Sequence, residues 1–123
     1  MQSLNIVLLQ SDPGAARSLA SALSNSFSSV QEVHSLADLR THIARHRVGV
    51  VILDMETVSL PEVKQLTREF PHACVVCTHR LADEEMWTAA LDAGAADVCP
   101  PSDTSGIVRT ALHSVARTHV AAA

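Results

Sequence analysis

The chain has 123 residues, of which 47% are hydrophobic and 18% charged, with a formal net charge of -4. That is enough for one domain burying roughly two-thirds of the surface its unfolded chain would expose. No basic block offers a nucleic-acid groove, no apolar run approaches the ~20 residues of a membrane span, and Met1-Gln2-Ser3-Leu4-Asn5 does not read as a signal peptide.

The first strand is predicted at Leu4-Asn5-Ile6-Val7-Leu8-Leu9, a nearly continuous apolar run. Gln10-Ser11-Asp12-Pro13-Gly14 breaks it and turns into a helix with Ala16, Leu19, Ala20 and Leu23 at helical spacing. Asn25 to Ser29 reads as a polar turn in which Phe27 folds back to the core, and Val30 to His34 as a weak edge strand. Ser35 can cap a second helix with the apolar stripe Leu36, Leu39 and Ile43. Arg47-Val48-Gly49-Val50-Val51-Ile52-Leu53-Asp54 carries a run too short and too β-branched for a good helix. It is predicted to be the central strand, buried on both faces and ending in a carboxylate.

Met55 to Leu60 is then a loop, with Ser59 or Leu60 near the cap of a helix that carries Val63 and Leu66 inward and stops at Pro71. Ala73-Cys74-Val75-Val76-Cys77 is the fourth strand. Cys74 and Cys77 have CxxC spacing, but within a strand they face opposite sides, so they read as core thiols with Cys99 and suit a reducing cytoplasm. Asp83-Glu84-Glu85 opens the fourth helix, favourable against its dipole, and Gly94 closes it. Ala96 to Cys99 is the fifth strand, cut off by Pro100-Pro101. Ser102, Asp103 or Thr104 caps a last helix to about Thr118, packed through Ile107, Val108, Ala111, Leu112 and Val115. Residues 1–119 form the domain, and 120–123 a frayed tail or the start of a linker.

Five such βα units imply a parallel sheet with helices on both faces. The expected fold is a flavodoxin-like (βα)5 three-layer sandwich of strand order 2-1-3-4-5. In such sheets chemistry collects at the carboxyl ends of the strands, where Ser11-Asp12, Asp54 and Thr78 fall. Neighbouring first and third strands would put Asp12 and Asp54 in one pocket. Two carboxylates there would repel unless a cation sits between them, and magnesium favours such oxygen ligands. An aspartate can also hold a phosphoryl group, with Thr78 donating to its oxyanion. The plainer alternative is equally open: Asp12 caps the first helix, Asp54 accepts turn amides, and Thr78 is strand-end polarity.

Ile6-Val7-Leu8-Leu9-Gln10-Ser11-Asp12, Val50 to Asp54, Thr78 after a short apolar strand, Ala93-Gly94-Ala95-Ala96-Asp97 and Arg17 together resemble the receiver domain of two-component response regulators. The resemblance covers essentially the whole chain. It implies that Asp54 is the phosphoacceptor, that Asp12, Asp54 and the Glu56 carbonyl bind magnesium, and that Thr78 contacts the phosphoryl group and switches. It also implies a surface from the fourth helix to the fifth that serves dimers, an output domain or a partner, and a histidine kinase as phosphodonor.

The departures point the other way. Ser11 replaces the first acid of the pair, and Val98 the aromatic switch partner. Val58 stands for the usual proline, and Cys99-Pro100-Pro101-Ser102 supplies no amine for the usual lysine. Phosphoryl transfer rests on positioning and charge neutralisation, so losing that ammonium costs roughly a few kcal/mol of transition-state stabilisation. The expected protein is an atypical receiver, not an enzyme, acting by docking or dimerisation with weak or absent phosphorylation and weak magnesium binding. Such receivers stand at the front of larger proteins, including pilus-assembly localisation ATPases. The alternative is a working phosphoreceiver that switches an output domain through Asp54 and Mg2+. A flavin or nucleotide binder is disfavoured by a first loop with one glycine and too few amides and hydroxyls to cradle a phosphate.

Trp87, with Met86 beside it on the fourth helix, is either an interface anchor or half-buried packing. Arg109, His113 and Arg117 share one face of the last helix, which is either solvated or meets a partner's Asp92 or Asp97. His42 and His46 read as a wet helix face.

Overall fold

The structure is a computed structural model that describes the backbone of residues 2–81 and 83–122, and the side chains of residues 5–81 and 83–113. Strands and helices alternate along it: β1 Gln2–Leu9, α1 Pro13–Ser24, β2 Phe27–Val33, α2 Leu36–Arg45, β3 Val48–Asp54, α3 Leu60–Glu69, β4 Cys74–Thr78, α4 Glu84–Asp92, β5 Asp97–Cys99 and α5 Thr104–Ala122. The five strands form one parallel sheet of order β2-β1-β3-β4-β5. This is the flavodoxin-like (βα)5 architecture expected from the alternation.

Strand alternation divides the core into two layers. Val7, Leu9, Val51, Leu53, Val75, Cys77 and Val98 face α2, α3 and α4, meeting Leu39, Ile43, Val63, Leu66 and Ala90. Ile6, Leu8, Val50, Ile52, Val76 and Cys99 face α1 and α5, meeting Leu19, Leu23, Ile107 and Ala111. Burial on both faces explains why β1, β3 and β4 read as continuous apolar runs. Cys74 and Cys77 lie on opposite faces, as their spacing within a strand requires.

Local signals set the helix ends. Asp12 caps α1, Ser35 caps α2 and Asp83 caps α4. Ser59 and Glu62 form a reciprocal capping box at α3, with Pro61 in its first turn. The Asp103 carboxylate accepts from Gly106 N at 3.1 Å, which selects it among the three predicted caps of α5. That helix continues to Ala122, beyond the predicted end near Thr118.

One element differs clearly from expectation. β2 starts at Phe27, three residues before the predicted Val30. Ser28 and Ser29 are exposed, yet the strand pairs with β1 from Gln2↔Phe27 onward. An edge strand needs backbone partners on one side only, so polar side chains are tolerated and hydrophobic alternation is lost. Phe27 is core, as expected, but as a strand residue.

Gly94 turns the chain from α4 to β5 with φ 106°, where a Cβ would lie 2.7 Å from Thr67 Oγ1. That threonine is itself fixed by donating to the Ala93 carbonyl at 2.9 Å. Gly94→Ala is therefore expected to destabilise the fold by about 2 kcal/mol or more, from backbone strain and the clash together. At Gly14 an added Cβ would find its nearest atoms at 3.6 and 3.8 Å. Gly14→Ala is expected to be neutral or to stabilise by up to ~1 kcal/mol. Urea unfolding of the two variants against the native chain checks the contrast.

Candidate functional site at the carboxyl end of the sheet

Register aligns the strand ends. Leu9 pairs with Leu53, Asp54 with Thr78, and Thr78 with Cys99. Gln10, Asp54, Thr78 and Cys99 therefore continue one row of side chains on the α1/α5 face. Asp54, at 3% exposure, is the one ionisable group of this row drawn into the fold as a carboxylate.

Its two oxygens are occupied by protein donors. Ser11 donates to Oδ2 from its N–H at 2.9 Å and again from its hydroxyl in a short contact. Thr57 Oγ1 donates to the same oxygen at 3.4 Å, and Glu56 N donates to Oδ1 at 2.9 Å. The Asp54 main-chain carbonyl accepts from Thr57 N and Val58 N at 3.0 and 2.9 Å, so the residue organises the whole β3–α3 turn. Burial raises the pKa of the carboxyl, but the bonds from Ser11, Glu56 and Thr57 outweigh it and hold the group below the usual carboxylate range.

Asp12 caps the first helix. Its carboxylate accepts from Gly14 N at 3.4 Å and Ala15 N at 3.2 Å as the α1 cap. It still lines the same cleft as Asp54, about 350 Å³ in volume, with Gln10, Ser11, Glu56, Arg80 and Pro101. Thr78 is fully buried, and its hydroxyl bonds Gln10 and the Leu53 carbonyl rather than Asp54. A larger cleft, about 640 Å³, opens at the other end of β3 and β4 between Ile43, Val48, Phe70 and Pro71, away from this row.

Three contributors escape sequence reasoning. Gln10 binds Thr78, and Ser11 serves Asp54 twice. Arg80 pairs with Glu56 at 2.9 Å on the rim, although its side chain is largely exposed. The resemblance flagged Ser11 as a missing acid; that a hydroxyl beside a buried carboxylate becomes its donor was the available signal. Cys99 faces the row with a neutral thiol, pushed up to about 12 by burial and then by the Asp97 carboxylate. Among the described residues Arg80, on the β4–α4 loop, lines this cleft as a cation.

The protein's own donors compete for the oxygens a magnesium ion would take: Asp12 accepts two amides as the α1 cap and Asp54 Oδ2 accepts from Ser11 and Thr57, while Asp54 Oδ1 accepts from Glu56 N. Among the described residues no group of three or more His, Cys, Asp or Glu side chains is placed to hold a metal.

The residues singled out for an interface lie on α4 and α5. Trp87 is 45% exposed and its Nε1 donates to Asp97 Oδ1 at 3.1 Å. Asp97 also accepts from Val98 N and Thr110 Oγ1, so it ties α4, β5 and α5 together. Arg109 and His113 are exposed on α5, while the Arg117 side chain lies outside the described residues.

No family profile and no curated protein matches the sequence. Solved structures do match in fold. The RcsB response regulator of Salmonella typhimurium is 15% identical with a TM-score of 0.81, covering 96% of this chain and 62% of that one. This chain therefore spans less than two-thirds of that protein. The N-terminal signal receiver domain of a Bacteroides fragilis response regulator is 24% identical, TM-score 0.82, over 92% of this chain and 97% of that one. The CheY-like protein tadZ of Pseudomonas aeruginosa is 24% identical, TM-score 0.70, over 89% and 94%. The chain is similar to these in its receiver fold.

Asp54 should matter to stability whatever its chemistry. Hydrogen bonds to a charged group contribute roughly 1.5–3 kcal/mol, so Asp54→Ala is expected to cost about 2–3 kcal/mol by leaving the Ser11 and Glu56 amides without an acceptor. A carboxyl depressed in the folded state stabilises fully above its unfolded pKa, and that contribution is lost as pH falls through the folded value. Denaturation from pH 7 to pH 2 should show the native chain losing stability below about pH 4. Asp54→Asn should lose less over the same window.

Proposed function

We propose that this chain is a receiver-like docking module that signals by binding a second copy or another protein, with weak or absent phosphorylation of Asp54. The observation that carries this reading is the occupied state of the Asp54 carboxylate. A nucleophilic oxygen must offer a lone pair; Oδ2 already accepts from Ser11 twice and from Thr57, and Oδ1 is held in the turn by its bond from Glu56 N. Fixed donors also lower its basicity, which weakens it as a nucleophile. No ammonium stands beside it in the row, where Cys99 presents a neutral thiol. The proposal includes a non-enzymatic role in the cytoplasm and at most weak binding of Mg2+ through Asp12, Asp54 and the Glu56 carbonyl. Among the described residues no helix is long and apolar enough to cross a membrane.

The docking surface in this reading runs from α4 across β5 to α5. Trp87 (45% exposed) and Leu112 (36% exposed) offer apolar area there. The outer side of α4 is acidic, through Asp83, Glu84, Glu85 and Asp92, while α5 presents Arg109 and His113. A two-fold axis would set the acidic side of one copy against the basic side of the other, which supports a homodimer. Asp97 is engaged inside the fold, so the acids that meet the partner's Arg109 are those of α4, Asp92 among them.

Arg80 favours a second reading. Its guanidinium shares the cleft with Asp54 and could neutralise a phosphoryl group received from a histidine kinase with Mg2+. Amide NMR with Mg2+ and beryllofluoride separates the two. The docking reading expects no saturable response centred on Asp54. A saturable response reaching Thr78 and α4 would establish the switch instead.

Self-association is checked by light scattering at several concentrations and salt levels. A dimer that weakens from low salt toward 0.5 M, and that Arg109→Glu or Trp87→Ala disrupts with the monomer still folded, is the expected result. Trp87→Ala loosening the monomer while sparing a dimer would return Trp87 to the core.

A further inference from the structure

Gln10 follows β1, and its side chain reaches a partner 68 residues away in sequence. Its Nε2 donates to Thr78 Oγ1 at 3.0 Å, and its Oε1 lies 3.3 Å from the same hydroxyl as an acceptor. β1 and β4 are not neighbours, because β3 runs between them. The contact therefore spans the position of Asp54, which pairs with Thr78 on one side and follows the Leu9↔Leu53 register on the other.

A threonine hydroxyl has one proton to donate. For Thr78 the available acceptors are Gln10 Oε1 and, at 3.4 Å, the Leu53 carbonyl. Its own oxygen is engaged by Gln10 Nε2. The hydroxyl is fully buried, so water cannot substitute for any of these partners. To donate to a group carried on Asp54, Thr78 would have to withdraw its one proton from Gln10 Oε1 and the Leu53 carbonyl, and move against an oxygen that Gln10 Nε2 holds in place. An apolar side chain at position 10 could impose no such tie.

We propose that Gln10 is a positioning residue that pins the Thr78 hydroxyl and uncouples it from Asp54. This rests on reading the site as one that does not switch, and it supplies the residue responsible for that at Thr78. Gln10 is a latch of the chain's own: a side chain from β1 closes a bond across β3 to β4 and stabilises one rotamer of Thr78.

The experiment is threonine-methyl NMR on the full chain. Three-bond couplings from the Thr78 methyl carbon to the backbone nitrogen and carbonyl report its χ1 well. The native chain is expected to show one staggered well. Gln10→Met has nearly the same shape but no amide, and it is expected to lose the single-well pattern while amides remote from the site stay unshifted. Gln10→Glu keeps an acceptor for the Thr78 hydroxyl and is expected to restore the single well at neutral pH. A residue that acts by packing alone predicts no change in Gln10→Met, so unchanged couplings would overturn the proposal. Should Gln10→Met not fold, Gln10→Leu serves in the same measurement with the same two outcomes. A beryllofluoride response in the native chain would instead overturn the non-switching reading, whereas unchanged couplings overturn the latch alone.

Discussion

A carboxylate drawn out of water must be met by donors or by a cation, and at Asp54 the donors come from the protein itself. Ser11 reaches it from the end of β1, and Glu56 and Thr57 from the turn after β3. The carboxylate thereby ties two strand ends and the start of the α3 connection to one point. The exchange of an acid for Ser11 governs the outcome. Two acids at that point would repel and would need a metal to stay charged together. A serine and an acid attract, so the site is satisfied without any added ion.

The same logic extends outward along the strand ends. Gln10 satisfies Thr78, Arg80 satisfies Glu56, and Asp97 gathers Trp87, Val98 and Thr110. Among the described residues no buried side-chain nitrogen or oxygen lacks a partner. Buried polar groups with every bond made favour a single arrangement over two of similar energy. A two-state switch needs the opposite, a set of bonds that can be exchanged at small cost. The bonds made at the carboxyl end of this sheet favour the one arrangement seen.

Much of this was legible in the residues. The central strands announce themselves because both faces are buried, and Ser35, Ser59 with Glu62, and Gly94 mark helix ends through chemistry local to the chain. What was hidden is nonlocal or carries no hydrophobic pattern. Phe27–Ser29 extends β2 through backbone pairing that its serines do not betray. Asp12 could not be assigned between ligand and cap from spacing, because both uses place an acid just before Pro13-Gly14. The Gln10–Thr78 and Arg80–Glu56 contacts depend on which strand ends lie side by side and on how far each side chain reaches. Composition and periodicity carry neither. The absence of an amine after β5 was legible, but the Arg80 guanidinium beside Glu56 in the β4–α4 loop was not.

A docking surface needs constancy more than it needs the strand-end chemistry. α4 is held to β5 by Trp87 and Asp97, and β5 to α5 by Asp97 and Thr110, on a side of the fold that does not include the Asp54 carboxylate. Were the surface to depend on Thr78 moving, its exposed Trp87 and Leu112 would be presented only in one state. With Thr78 bound to Gln10 and α4 bound to Asp97, the acidic side of α4 and the basic side of α5 keep a fixed relation. Fixed geometry lowers the ordering cost of association, so a modest apolar patch framed by complementary charge can suffice for binding. Under the proposed reading, the hydrogen bonds at the strand ends hold one arrangement, and the α4–β5–α5 surface keeps its shape whatever the state of Asp54.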